Sequence, residues 1–137
     1  MALDTLALID TGNYVLQPQP QIENSALKLA PKINKEDTMI SWDCPATTII
    51  NKIRGLAPSP GATTFLTKED GNIYSIKIFE AKITAEKSEN ETGKIETDGK
   101  TYCKISSKDF KISILHLQME GKKRMDIAAF LQGNKLL

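Results

Sequence analysis

One histidine, one tryptophan and two cysteines in 137 residues leave this sequence few side chains for chemistry of its own. The two cysteines, Cys44 and Cys103, are distant and form no Cys-x-x-Cys pair, which fits reduced, partly buried thiols better than a disulfide framework. No His, Cys, Asp or Glu cluster has metal-ligand spacing, and no glycine-rich loop follows a strand to open a helix. Neither a metal centre nor a glycine-rich phosphate cradle is expected. Carboxylates are plentiful, but none lies in an apolar stretch that would fit it for acid–base work. His116 stands between Leu115 and Leu117 with no carboxylate pattern beside it, so it reads as structural or surface-facing. Long apolar runs are missing too. The longest, Ile112–Leu117, is interrupted by Ser113 and His116, far short of the roughly 20 residues a membrane helix needs. The first residues, Met-Ala-Leu-Asp-Thr-Leu, have neither the basic region nor the cleavage site of a secretory signal. A soluble, cytoplasmic protein without membrane contact is expected, and Asn90-Glu91-Thr92 then reads as a polar loop, not a glycosylation site.

What is present suits one domain. Forty per cent of the chain is apolar, enough for a single core, although aromatics supply only 6%. The formal net charge of +1 excludes a polycation, but the charge is unevenly spread. Carboxylates lead around residues 86–98, whereas Lys104, Lys108, Lys111, Lys122, Lys123, Arg124 and Lys135 outnumber the acids beyond. The C-terminal third is where a polyanion would dock.

Asp4–Thr11 before Gly12 reads as the last turns of a helix, with Leu6 and Ile9 on one face. Tyr14–Ile33 holds Pro18, Pro20 and Pro31 and reads as an extended linker, so residues 1–33 are expected to be the end of a preceding domain and an interdomain connection. Pro45–Leu56 is the clearest helix, with Pro45 in its first turn and Asp43 or Cys44 as cap. Its apolar residues Ala46, Ile49, Ile50, Ile53 and Leu56 recur at helical spacing, and Pro58-Ser59-Pro60-Gly61 stops it.

Strands are expected at Ala62–Leu66, Ile73–Thr84, Lys94–Thr97, Thr101–Ser106 and Ile112–Met119, with Asp98-Gly99 as a hairpin turn. In Ile73–Thr84 the apolar set passes from Tyr74, Ile76 and Ile78 to Phe79, Ala81 and Ile83. Ile112–Met119 switches parity likewise, after Ile114. A switch within one strand is what a β-bulge produces, and bulges let a sheet curl. Gly121–Met125 is a basic turn, and Asp126 can cap a short helix, Ile127–Leu131, closed by Gly133. The fold class is therefore α+β and β-rich, a small open barrel or roll like the oligonucleotide-binding kind, over residues 34–137.

Candidate binding residues are cations in fixed positions. Lys122, Lys123 and Arg124 sit in a turn between a strand and a helix, where they can contact a phosphate backbone or simply be solvated. Lys52 and Arg54 lie on the polar side of the first clear helix, as on any amphipathic helix, and Lys35 lies in the approach to it. No catalytic residue and no metal ligand is expected.

Several blocks carry a resemblance. These are Lys32-Ile33-Asn34-Lys35-Glu36-Asp37, Ile40-Ser41-Trp42, the run from Ile49 to Pro60-Gly61, Gly93-Lys94-Ile95, Leu117-Gln118-x-x-Gly121-Lys122-Lys123-x-Met125 and Phe130-Leu131-x-Gly133. In this order they resemble the C-terminal domain of methionyl-tRNA formyltransferases, and the lead-in resembles that family's interdomain linker. Ser59 departs from it, standing where an aromatic is common, and the segment around Tyr102–Asp109 is plainer than usual. The resemblance implies a monomeric enzyme whose N-terminal domain, with an Asn-x-His pair and an aspartate, moves a formyl group from 10-formyltetrahydrofolate to the amine of methionyl-tRNA. The barrel would hold the initiator tRNA. Nothing here resembles that catalytic domain, so the expected partners are tRNA and the enzyme's own catalytic half, with no cofactor in this chain. Two other readings stay open: a domain that only packs on the catalytic half, or one from a formyltransferase with a non-RNA substrate.

Overall fold

Residues 2–18, 20, 30–69, 71–89 and 91–136 are described by the computed structural model. Part of the proline-rich lead-in and Asn90 of the glycosylation triplet lie outside them. The chain forms two compact units, Met1–Lys32 and Ile33–Leu137.

In the first unit, α1 (Ala2–Asp10) has no buried residue. Gly12, at φ 67°, ends it: its N–H donates to the Ile9 carbonyl and that of Asn13 to the Leu8 carbonyl, both at 3.1 Å. That pair of bonds is a Schellman stop, which needs the left-handed residue only glycine adopts cheaply. Residues 13–18, 20 and 30–34 form neither helix nor strand.

The second unit opens with a 3-10 turn, Glu36–Thr38, and then α2 (Ala46–Leu56). The sheet is antiparallel, in the order β1 (Ala62–Thr67), β2 (Ile73–Lys87), β5 (Phe110–Met119), β4 (Cys103–Ser106) and β3 (Ile95–Thr97); a two-residue β6 (Met125–Asp126) pairs with β5, and α3 (Ile127–Gln132) follows.

The expected parity switches are two bulges facing each other. Ile78 pairs with Leu117, Glu80 with His116 and Ala81 with Ile114, so β2 gains a residue at Phe79 and β5 gains one at Leu115. The two insertions cancel in register while both strands bend, and the sheet curls into a half-barrel. Ile76, Ile78, Ile112, Ile114 and Leu117 face the core, where α2 presents Ile49, Ile53 and Leu56 and α3 presents Ile127, Phe130 and Leu131. The Asp98-Gly99 hairpin is looser than a two-residue turn. Five residues connect Thr97 to its partner Cys103, and the Asp98 carboxylate accepts the backbone N–H groups of Lys100, Thr101 and Tyr102.

The cap of α2 is a correction. Pro45 occupies the N-cap position and supplies no side-chain bond, and neither Asp43 nor Cys44 serves. Instead Asp109, 63 positions away, accepts the Ala46 N–H at 2.7 Å through Oδ1, which also takes the Phe110 N–H at 2.9 Å and the Ser107 hydroxyl at 3.0 Å. These bonds, the Ala46 amide first, hold the carboxyl below the usual carboxylate range. Asp109→Ala is expected to lower the melting temperature by unpairing an amide at a buried helix start. Because the folded carboxyl titrates below the unfolded one, its contribution is present above the ordinary carboxylate range and is lost as pH falls through the folded value. The gap between wild type and variant should therefore shrink in acid, and thermal melts across that pH window check it.

Cys103 is buried, which pushes its thiol up to about 12 and keeps it protonated and un-nucleophilic at neutral pH.

Candidate nucleic-acid interface

The basic excess read from the C-terminal third is narrower in three dimensions. Lys104 and Lys111 are drawn into a network with the carboxylates of the acidic segment. Lys104 Nζ lies 2.6 Å from Glu86, and Lys111 Nζ lies 2.6 Å from Glu96 and 3.3 Å from Glu86. The Lys104 ammonium, first among several causes, holds the Glu86 carboxyl below its ordinary value. Those lysines tie β4 and β5 to the far end of β2.

Lys108, between β4 and β5, and Lys135, beyond α3, stand exposed and apart, and the three remaining cations cluster in the β5–β6 turn. Its backbone is fixed by the Lys122 N–H donating to the Met119 carbonyl at 3.0 Å and by Gln118 Nε2 donating to the Lys122 carbonyl at 2.7 Å. Lys122, Lys123 and Arg124 are exposed. Lys122 and Lys123 have no ion-pair partner among the described residues, whereas Arg124 lies over the Phe79 ring at 5.0 Å and 3.8 Å from Glu80.

Glu80 also meets His116, whose Nδ1 is 2.9 Å from Oε2. The histidine thus has the carboxylate neighbour its sequence surroundings do not show. The pairing of Glu80 with His116 at the bulges creates it across the sheet.

The remaining candidates separate. Lys52 is half-buried and donates to the Met39 carbonyl, so it is engaged with the chain's own backbone. Arg54 is exposed on α2, which packs on the core side of the sheet. Lys35 lines a groove of about 720 Å³ on the opposite, outer face. Thr63, Lys77 and Gln118 form one row across its floor, and Phe65 and Ser75 form the next. Lys77 and Phe79 share this outer face: a Cβ added at Gly61 would meet the Phe79 ring at 3.0 Å and the Lys77 stem at 3.3 Å. Glycine at this position, with φ 88°, lets the start of β1 approach them.

Lys77, Phe65 and Phe79 were not among the binding candidates read from sequence, where Phe79 marked only the parity switch of its strand. Phe65 is the instructive one. Its strand buries Ala62, Thr64 and Leu66, leaving Phe65 56% exposed. Thr64 is tolerated inside because its hydroxyl accepts the Trp42 indole N–H at 3.0 Å.

The described residues contain no cluster able to hold a metal ion, and none of their helices is long and apolar enough to cross a membrane. Chemically, the outer face offers exposed cations on a hydrogen-bonded strand–turn–strand and a partly aromatic floor, which suits binding a polyanion.

Residues 32–135 match the family described as formyl transferase, C-terminal domain, and the chain belongs to it. Among similar proteins are the methionyl-tRNA formyltransferases of Flavobacterium johnsoniae, 43% identical over 96% of this chain, and of Phocaeicola vulgatus, 39% identical over 97%. The chain spans only 40% and 42% of those relatives' lengths. In solved structures the fold recurs in HypX from Aquifex aeolicus, with a TM-score of 0.60 at 20% identity over 99% of this chain and 24% of that one. A second HypX structure, in complex with tetrahydrofolic acid, matches at TM-score 0.60 and 21% identity over 95% of this chain and 22% of that one.

Proposed function

We propose that this chain is the tRNA-positioning domain of a methionyl-tRNA formyltransferase. The observation that carries the reading is the basic turn at Lys122, Lys123 and Arg124, held rigid by Gln118 and set beside a groove containing Lys35 and Lys77. Similarity to methionyl-tRNA formyltransferases across nearly the whole chain supports the same reading.

In the parent enzyme the amine nitrogen of methionyl-tRNA attacks the formyl carbon of 10-formyltetrahydrofolate. The bond from that carbon to the folate nitrogen breaks, giving the formamide and tetrahydrofolate. The tetrahydrofolic acid bound by HypX, which shares this fold, is in keeping with folate as the one-carbon carrier. This domain performs none of those steps. Its part is orientation: neutralised phosphates anchor the initiator tRNA so that the aminoacyl end reaches the catalytic domain, and prepaid orientation can remove several kcal/mol of a barrier. The setting is cytoplasmic and the enzyme monomeric.

The exposed apolar side chains Leu3, Leu6 and Ile9 of α1 favour a second reading, in which the chain chiefly packs against the catalytic domain. Equilibrium titration of this chain with fluorescently labelled tRNA at low salt separates the two. Saturable binding supports the positioning role, and no binding leaves the packing role.

A further inference from the structure

Beyond the basic turn, the groove on the outer face has a chemistry of its own. Phe65 projects from β1 with more than half its surface exposed, and its cross-strand neighbour is the small Ser75, which leaves the ring uncovered. Lys35 and Lys77 stand in the same groove. Among its described lining residues Glu120 alone is acidic, and it sits beside Ser75, where its N–H approaches the Ser75 carbonyl at 3.5 Å.

We propose that this groove seats one unpaired nucleotide of the bound RNA, its base stacked on Phe65 and its phosphate against Lys35 and Lys77. The inference rests on the tRNA-positioning reading and adds a recognition element to it.

Three features favour a nucleotide over a peptide. A flat exposed ring beside two ammonium groups is the pairing that single-stranded nucleic-acid sites use, stacking for the base and charge for the backbone. Glu120 at one end repels phosphate and sets its direction toward the lysines. The groove also abuts the turn: Gln118 lies in its floor and holds the Lys122 carbonyl, so a strand tracking Lys122 and Lys123 would pass its mouth. Base stacking tolerates every base, so the site needs an unpaired nucleotide but no particular one.

The test uses this chain with two probes, a short fluorescent single-stranded RNA and labelled tRNA. Phe65→Ala should weaken the single-stranded probe by about 5- to 150-fold, the range for losing one stacked base. Its salt dependence should be unchanged, since no phosphate contact is lost. Phe65→Tyr should bind within about twofold of wild type, and Phe65→Leu should behave like the alanine variant because it keeps apolar area without a π-face. Lys77→Ala should lower the salt slope by about one unit. Phe65 is exposed, so all these variants should keep the wild-type melting temperature.

If tRNA binds and depends on the basic turn while Phe65→Ala is neutral with both probes, the nucleotide seat is wrong and the positioning role survives. Leucine restoring affinity as well as tyrosine does would also overturn it, pointing to an apolar seat for a protein segment. Failure of the wild type to bind either RNA would remove both.

Discussion

Replacing Phe130 with alanine is expected to cost about 3–5 kcal/mol of unfolding free energy. The ring is among the largest fully buried side chains described, at 1% exposure. It projects from α3, a helix of six residues that cannot persist without packing. Asp126 caps the first turn by accepting the Ala129 N–H at 2.8 Å, while the Asn134 side chain donates to the Phe130 carbonyl at 2.7 Å. Those bonds survive truncation, so the expected loss belongs to the ring and its cavity. A domain of this kind has only about 5–15 kcal/mol in total, so the urea midpoint should fall steeply. Ala129→Ser, on an exposed neighbour, should stay within about 0.5 kcal/mol. A Phe130→Ala midpoint equal to wild type would mean that α3 is not part of the cooperative core.

Replacing Lys122, Lys123 and Arg124 together with alanine is expected to leave the fold intact and strip tRNA binding of much of its salt dependence. The turn's geometry is set by backbone and Gln118 contacts that alanine keeps. Among the described residues only Arg124 of the three has side-chain partners, the Phe79 ring and Glu80, and it is 45% exposed, so the loss of stability is small. Each phosphate neutralised contributes a little under one unit of log–log slope, so three lost cations should flatten the dependence by about two to three units. Affinity should fall uniformly across tRNA species, since backbone contacts position without reading sequence. A variant that binds as tightly and as salt-sensitively as wild type would move the footprint away from this turn.

Local patterns were readable in advance where the physics is local. The parity switches of β2 and β5 are period-2 signals, and each strand announced its bulge without the other. Gly12 and the Asp126 cap were equally legible, because partner and cap lie within one helical turn. Contacts across the sheet were not. Asp109 capping Ala46, Glu80 reaching His116 and Lys104 neutralising Glu86 join residues 63, 36 and 18 positions apart, and no spacing rule reaches that far.

The groove was hidden for a different reason. Residue type assigns phenylalanine to the core and threonine to the surface, whereas β1 reverses them at Thr64 and Phe65 through the Trp42 hydrogen bond. Lys52 shows the converse case. An ammonium on the polar side of a helix looks free until the Met39 carbonyl is found against it.

The most direct test of the central claim is the salt dependence of tRNA binding by the unmodified chain, from low to physiological ionic strength. A log–log slope of several units would show that several phosphates are neutralised and that this domain holds RNA by itself. A slope near zero, or no binding at the lowest salt, would contradict the account and leave the domain as a packing partner of the catalytic half.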